Sequence, residues 1–324
     1  MDGKQQAFVS DVRARVAQIV VGQDAVVERV LIALLTGGHL LLQGLPGLAK
    51  TLLVVTIAKA VDLRFSRIQF TVDMLPSDII GSEVLDQKTM EYRIHQGPVF
   101  TNLLLADEIN RAAPKVQSAL LEAMQERRVT IGGETFKLPT PFLVIATQNP
   151  VEQSGTFELP EAQLDRFMLE HRLTYTTVSQ EEEILRRQLH MGLRREADGG
   201  AVPKTAFDMI DDKPCAGSAD LVACMERVQQ VHVSDVFLKH CVELVDRSRK
   251  HPWLDFGCSP RAGLALINAS RARAFVHGRD FVIPEDMFEL AEDIVMHRVR
   301  LSYEATAEGH TTREVLQSIL SVLG

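Results

Sequence analysis

The stretch Leu40-Leu41-Leu42-Gln43-Gly44-Leu45-Pro46-Gly47-Leu48-Ala49-Lys50-Thr51 constrains this chain more than any other. An apolar run short enough for a buried strand leads into a loop punctuated by Gly and Pro. Lys-Thr closes the loop, and Leu52, Leu53, Val54, Ile57 and Ala58 continue at helical spacing. Strand, loop and helix in that order read as a nucleotide-binding P-loop. The loop's backbone N–H groups and the positive end of the following helix form a ready anion site. One departure stands out: Ala49 occupies the position of the second glycine in G-x-x-x-x-G-K-T.

The rest of the chain tests that reading. A length of 324 residues suggests about two domains. A hydrophobic content of 46% beside 24% charged residues is that of an ordinary globular protein with ample core. The net charge of −8 argues against a free-standing nucleic-acid binder. The opening residues 1–6 hold no apolar leader, and no apolar run approaches a membrane span, so a cytoplasmic protein is expected. The cysteines at 215, 224, 241 and 258 form no C-x-x-C pair and lack zinc-ligand spacing with His; reduced structural thiols are expected.

Two helical patterns precede the loop, carried by Phe8, Val12, Val16 and Ile19, then by Val26, Val30, Leu31 and Leu34. Between them lie Gly22 and Gln23, in a turn that fits either a border for an adenine or a plain helix connection. After the loop helix, 67–71 alternates as a strand. Residues 72–97 read as an insertion between the second and third core strands, with a short helix after Pro76 and hairpin arms at 82–85 and 90–94. The apolar strand from Val99 then ends in Asp107-Glu108, the form of a Walker B segment: the first carboxylate can hold Mg²⁺ and the second can polarise the attacking water. A helix at 115–127 and a Gly132-Gly133 hairpin at 129–138 follow. The strand 141–148 ends at Asn149-Pro150, which fits a turn as well as an amide orienting the water. Asp165-Arg166, between a short helix and the strand 167–173, fits a surface ion pair and equally an arginine directed at a neighbour's phosphate. The residues alone do not decide. Beyond 174 a helix at 181–189, a loop-like stretch at 191–218, and helices at 219–231, 235–250, 260–277, 284–297 and 312–323 are expected.

With these pieces placed, the chain resembles AAA+ ATPases, and within them the MoxR family, over nearly its whole length. The segments that carry the likeness are 44–51, LLLADEINRAAP at 103–114, QSALLEAMQE at 117–126, IATQNP at 145–150, LPEAQLDRF at 159–167 and Ser259-Pro260-Arg261. Alanine before the P-loop lysine is common in that family. The resemblance implies an α/β P-loop core with a helix-two insertion over 1–175, a connecting helix and loop over 176–218, and a helical lid over 219–324. It implies ATP and Mg²⁺ as cofactors. Gly22 and Gln23 would lie beside the adenine. Gly44, Leu45, Pro46, Gly47, Leu48, Ala49, Lys50, Thr51 and Leu52 would wrap the phosphates. Thr51 and Asp107 would hold the metal, and Glu108 would be the catalytic glutamate. Asn149 matches the first sensor, and Arg166 matches an arginine finger acting on the neighbouring subunit's ATP. Arg261 matches the second sensor, touching the γ-phosphate and coupling it to lid movement.

The resemblance further implies a homo-oligomeric ring, a hexamer, acting as a chaperone-like motor on a protein client, with a von Willebrand factor A domain protein as a possible partner. An ATPase subunit of a metal chelatase-like complex is the alternative. A nucleic-acid motor of the same clade is disfavoured by the acidic balance, and a non-hydrolysing switch by intact Lys50, Asp107 and Glu108. A sigma-54 activator is disfavoured because the insertion has no Gly-Ala-Phe-Thr-Gly-Ala loop.

Overall fold

A computed structural model describes residues 3–45, 47–150, 155–196 and 199–323. In chain order, α1 (Gly3–Ile19) and α2 (Asp24–Thr36) lead to β1 (Leu40–Gln43) and α3 (Lys50–Ala60). Next come β2 (Phe65–Gln69), α4 (Pro76–Ile80), β3 (Gly81–Asp86), β4 (Glu91–Gln96), β5 (Leu103–Asp107) and α5 (Pro114–Glu126). The hairpin β6 (Arg128–Ile131) and β7 (Glu134–Lys137) precedes β8 (Leu143–Gln148), α6 (Glu161–Leu164) and β9 (Leu169–Arg172). Then follow α7 (Val178–Leu189), β10 (Leu193–Arg195), β11 (Ala201–Pro203), α8 (Ser218–Gln229) and α9 (Asp235–Lys250). The last elements are β12 (Leu254–Phe256), α10 (Pro260–Val276), α11 (Pro284–Val295), β13 (Arg300–Leu301), α12 (Tyr303–Ala307) and α13 (Thr312–Leu323).

Five strands form one parallel sheet in the order β2-β5-β8-β1-β9. Their side chains alternate between two cores, as the period of two requires. Leu40, Leu42, Leu103, Leu105 and Ile145 face α1, α2, α3 and the C-terminal helices. Leu41, Leu104, Ala106, Val144 and Ala146 face α5 and the insertion. Both faces are covered, so β1, β5 and β8 read as continuous apolar runs. All strands point the same way, and the loops after β1, β2, β5 and β8 therefore gather at the sheet's carboxyl edge, where open α/β sheets bind ligands.

The insertion at 72–97 takes the expected form, a short helix and the antiparallel β3–β4 hairpin. Three expectations need correction. β2 starts and ends two residues before the expected 67–71, because Phe65 through Gln69 pair with Leu103 through Asp107, and Thr71 turns away to bond Asp73. The stretch 191–218 is not all loop: it carries the β10–β11 hairpin, with Gly199 at φ 88° in its turn. The C-terminal helices are interrupted by the β12–β13 pair, whose arms lie more than forty residues apart.

Buried ion pairs tie the C-terminal helices to the core. Arg29 of α2 reaches Asp293 of α11 at 2.5 Å, and Glu28 pairs with Arg273 of α10 and with His277 just past its end. Among the described residues, no helix is long and apolar enough to cross a membrane.

Candidate functional site

The loop after β1 starts from a fixed backbone: Gly44 N–H donates to Gln148 O, and Leu173 N–H donates to Gln43 O. Gly44 itself is hemmed in, since a Cβ there would meet Leu173 at 2.9 Å. Leu45, Gly47 and Leu48 continue the loop, and Pro46 lies outside the described residues. Gly47 has φ 87° with nothing near the place of its absent side chain. Ala49 adopts φ 55° and ψ 22°, the left-handed conformation that explains why glycine is usual at this position. Lys50, Thr51 and Leu52 form the first turn of α3, where backbone N–H groups lack intrahelical partners and the helix end is positive. Lys50 Nζ donates to Gly44 O at 2.9 Å. Burial pushes this ammonium below its ordinary pKa, against the opposing pull of Asp107 and Glu108. An ammonium carries three donors, so Gly44 takes one and the rest of its charge faces the loop.

The order β5-β8-β1 sets the two carboxylates two strand spacings, roughly 10 Å, from the P-loop strand. Asn149 follows β8 between them and borders a cavity of about 620 Å³ with Gln43, Asn110, Gln148 and Glu158. Asp107 is buried. Its Oδ1 accepts from Thr147 Oγ1 at 2.6 Å, and its Oδ2 accepts from Arg67 at 2.7 and 3.2 Å. Glu108 sits at φ 57°, with its N–H donating to Thr147 Oγ1. Its Oε2 accepts from Gln69 Nε2 at 2.7 Å and lies 3.1 Å from Arg111 Nε. Arg67 and Gln69 belong to no motif, and Arg111 and Thr147 lie within quoted motif segments that assigned them no role. Strand alternation placed 67 and 69 on one face, but not which carboxylates that face would meet.

Gly22 has φ 73° in the α1–α2 turn, and Gln180 of α7 presses to 2.5 Å of where its Cβ would be. Gln23 precedes α2 and lines a cavity of about 430 Å³ closed by Arg273 and Glu289 from the C-terminal helices. These groups fit a nucleoside triphosphate with a divalent cation: the α3 amides and Lys50 would supply donors for phosphates beside the open space at Gly47, and Thr51 and Asp107 would supply oxygens for a metal.

Arg166 and Arg261 lie elsewhere. Leu169 pairs with Leu40, so Arg166 sits at the amino edge of the sheet, a full strand of roughly 13 Å from Gly44. Arg261 shares that edge: it borders one cavity of about 230 Å³ with Arg166, His39 and Leu264. Asp165 organises the region, accepting from Ser259 Oγ, from Arg298 Nε at 2.8 Å, and from Arg261 Nη1 at 3.5 Å. Arg298, 2% exposed, also donates to Phe167 O and Met168 O. Arg166 Nη1 donates to Leu121 O, while its buried Nε has no hydrogen-bond partner among the described residues. Arg261, expected as a second sensor touching the γ-phosphate, thus lies at the amino edge beside Arg166 and Asp165, while the P-loop lies at the carboxyl edge.

A parallel sheet in this order, a P-loop after β1 beside the edge strand β9, adjacent carboxylates two strands away and a helical C-terminal region define an ATPase of the AAA type. Residues 39–169 match the model of the ATPase family associated with various cellular activities (AAA), and residues 246–319 match the AAA lid domain. The chain is 44% identical over 317 residues to Chaperone MoxR1 of Mycobacterium tuberculosis, covering 95% of this chain and 80% of that protein. It is 30% identical over 303 residues to Protein MoxR of Methylorubrum extorquens, covering 88% and 85% respectively. The crystal structure of a candidate ATPase from Cytophaga hutchinsonii superposes with a TM-score of 0.87 at 43% identity, covering 98% of this chain and 94% of that one. The chain belongs to the MoxR family of AAA+ ATPases.

Proposed function

We propose that the protein hydrolyses ATP with Mg²⁺ only within a ring, each site being completed by its neighbour's Arg166 and Arg261, and that it spends the cycle remodelling, assembling or activating a protein client. The observation that carries this reading is the opposed placement of the two half-sites: P-loop and carboxylates at the carboxyl edge of the sheet, both arginines at the amino edge. A head-to-tail contact brings one edge to the other and closes into a ring if the rotation allows. Exposed Leu264 on the arginine edge suits such a contact.

In this reading the α3 amides and Lys50 bind the phosphates, while Thr51 and Asp107 hold Mg²⁺. When bound, the metal neutralises charge developing on the transferred phosphoryl group. Glu108 polarises the attacking water and Asn149 orients it. The neighbour's arginines stabilise the charge that develops, a contribution on the order of 10³–10⁵ in rate for a trans arginine. Gly22 and Gln23 border the base. The chaperone role rests on the relative named Chaperone MoxR1; a ring of six and a von Willebrand factor A domain partner rest on the family resemblance.

Specific ATPase activity measured across a dilution series, with mass photometry on the same samples, tests the ring. Activity is expected to fall as oligomers give way to monomers. Monomers as active per chain as the assembled species would remove the trans role of Arg166 and Arg261.

A further inference from the structure

Arg67 is an unusual neighbour for a carboxylate assigned to a metal. It lies on β2, the edge strand of the sheet, opposite Leu105, and reaches two residues along to fork onto Asp107 Oδ2 with Nη2 at 2.7 Å and Nε at 3.2 Å. Nη2 also donates to Gln69 Oε1 at 3.0 Å, so the guanidinium is held by side chains and by no backbone carbonyl among its described bonds. The other oxygen of Asp107 is engaged by Thr147.

A fold-stabilising role explains this poorly. The Arg67 side chain is 46% exposed, and half-exposed ion pairs contribute little to stability. The contact is nonetheless charge-assisted, with two N–H donors converging on the single oxygen Oδ2. It falls on the carboxylate that the function proposed above gives to Mg²⁺.

Resting on that reading, we propose that Arg67 is a built-in rival to the divalent cation at Asp107 and sets the Mg²⁺ concentration the site requires. A cation approaching Asp107 meets a carboxylate whose charge is already shared with a guanidinium, and it is repelled by that guanidinium at short range. Divalent metal binding is correspondingly weakened, and the site fills over a higher range of Mg²⁺ than the carboxylate alone would set. Arg67 is thus a positioning residue that acts through Asp107.

The test is binding, not turnover. A fluorescent non-hydrolysable ATP analogue is titrated with Mg²⁺ on the full-length wild type, Arg67→Ala and Arg67→Lys, with thermal unfolding to verify the fold. The half-saturating Mg²⁺ is expected to drop by about threefold to fivefold in Arg67→Ala, the upper scale for a half-exposed ion pair. Arg67→Lys, which keeps the charge, should stay nearer the wild type. In excess chelator the analogue should bind wild type and Arg67→Ala equally, because the proposed action is on the metal and not on phosphate. A folded Arg67→Ala protein with an unchanged or higher Mg²⁺ requirement would overturn the proposal, as would weaker binding in chelator. If Asp107→Ala left the wild-type Mg²⁺ dependence intact, the metal assignment itself would fall, a result distinct from the failure of Arg67 alone.

Discussion

Ala49 illustrates how one residue links sequence to chemistry. Its left-handed backbone, φ 55°, costs an alanine on the order of 1–2 kcal/mol, part of which is offset by the lower entropy of an unfolded alanine relative to glycine. Ala49→Gly is therefore expected to fall within about 1 kcal/mol of wild type in urea unfolding and to retain nucleotide binding. A β-branched residue at this φ is a genuine outlier. Ala49→Val should cost roughly 2 kcal/mol or more and weaken nucleotide binding sharply, since strain of about 1–3 kcal/mol persists only where the surroundings enforce it. Wild-type affinity in a stable Ala49→Val protein would mean that the loop binds in another conformation. Lys50, Thr51, Asp107 and Glu108 stand out in the sequence as candidates because phosphate and metal chemistry restricts both residue type and spacing. Arg67, Gln69 and Thr147 do not, because their roles arise from strand neighbours chosen by the sheet.

Elements defined by local pattern were read well and those defined by distant pairing were not. The helices α9 and α13 follow the expected bounds, since Ser234 caps the first and both carry an apolar stripe. The β12–β13 pair escaped notice because each arm has at most three residues and finds its partner across two helices. β9 carries a further consequence of packing. Glu170 is buried on this strand, and its pKa is raised to about 7, chiefly by burial and further by Asp293, against the pull of Arg172 and Arg298. A carboxyl group raised from 4.5 to about 7 favours the fold below its unfolded value, and that contribution is lost as pH rises toward 7. Glu170→Gln should thus stabilise the protein by about 2 kcal/mol at pH 8 and by much less at pH 5, as urea unfolding at the two pH values would reveal. Equal effects at both would show that Glu170 is not the titrating group.

At the scale of the whole molecule, the placement of Arg261 matters most. The Ser259-Pro260-Arg261 segment was legible as a helix start, and Ser259 does cap α10. Its distance from the P-loop was not, because it depends on how α10 and α11 pack against α2 and β9 through Arg29–Asp293, Glu28–Arg273 and the buried Arg298. That packing sends Arg261 to the edge that already holds Arg166, which is the placement on which the proposed sharing of sites between neighbours rests.

The most direct test mixes two disabled proteins. Lys50→Ala lacks a working phosphate loop but keeps both arginines; the double variant Arg166→Ala, Arg261→Ala keeps the loop but offers its neighbour nothing. Each alone should be nearly inactive. Mixed in equal amounts under conditions of subunit exchange, roughly a quarter of the interfaces of a head-to-tail ring would join an intact loop to intact arginines. ATPase activity should therefore reappear at a comparable fraction of wild type. No recovery, with exchange verified by differently tagged subunits, would contradict a site shared between neighbours.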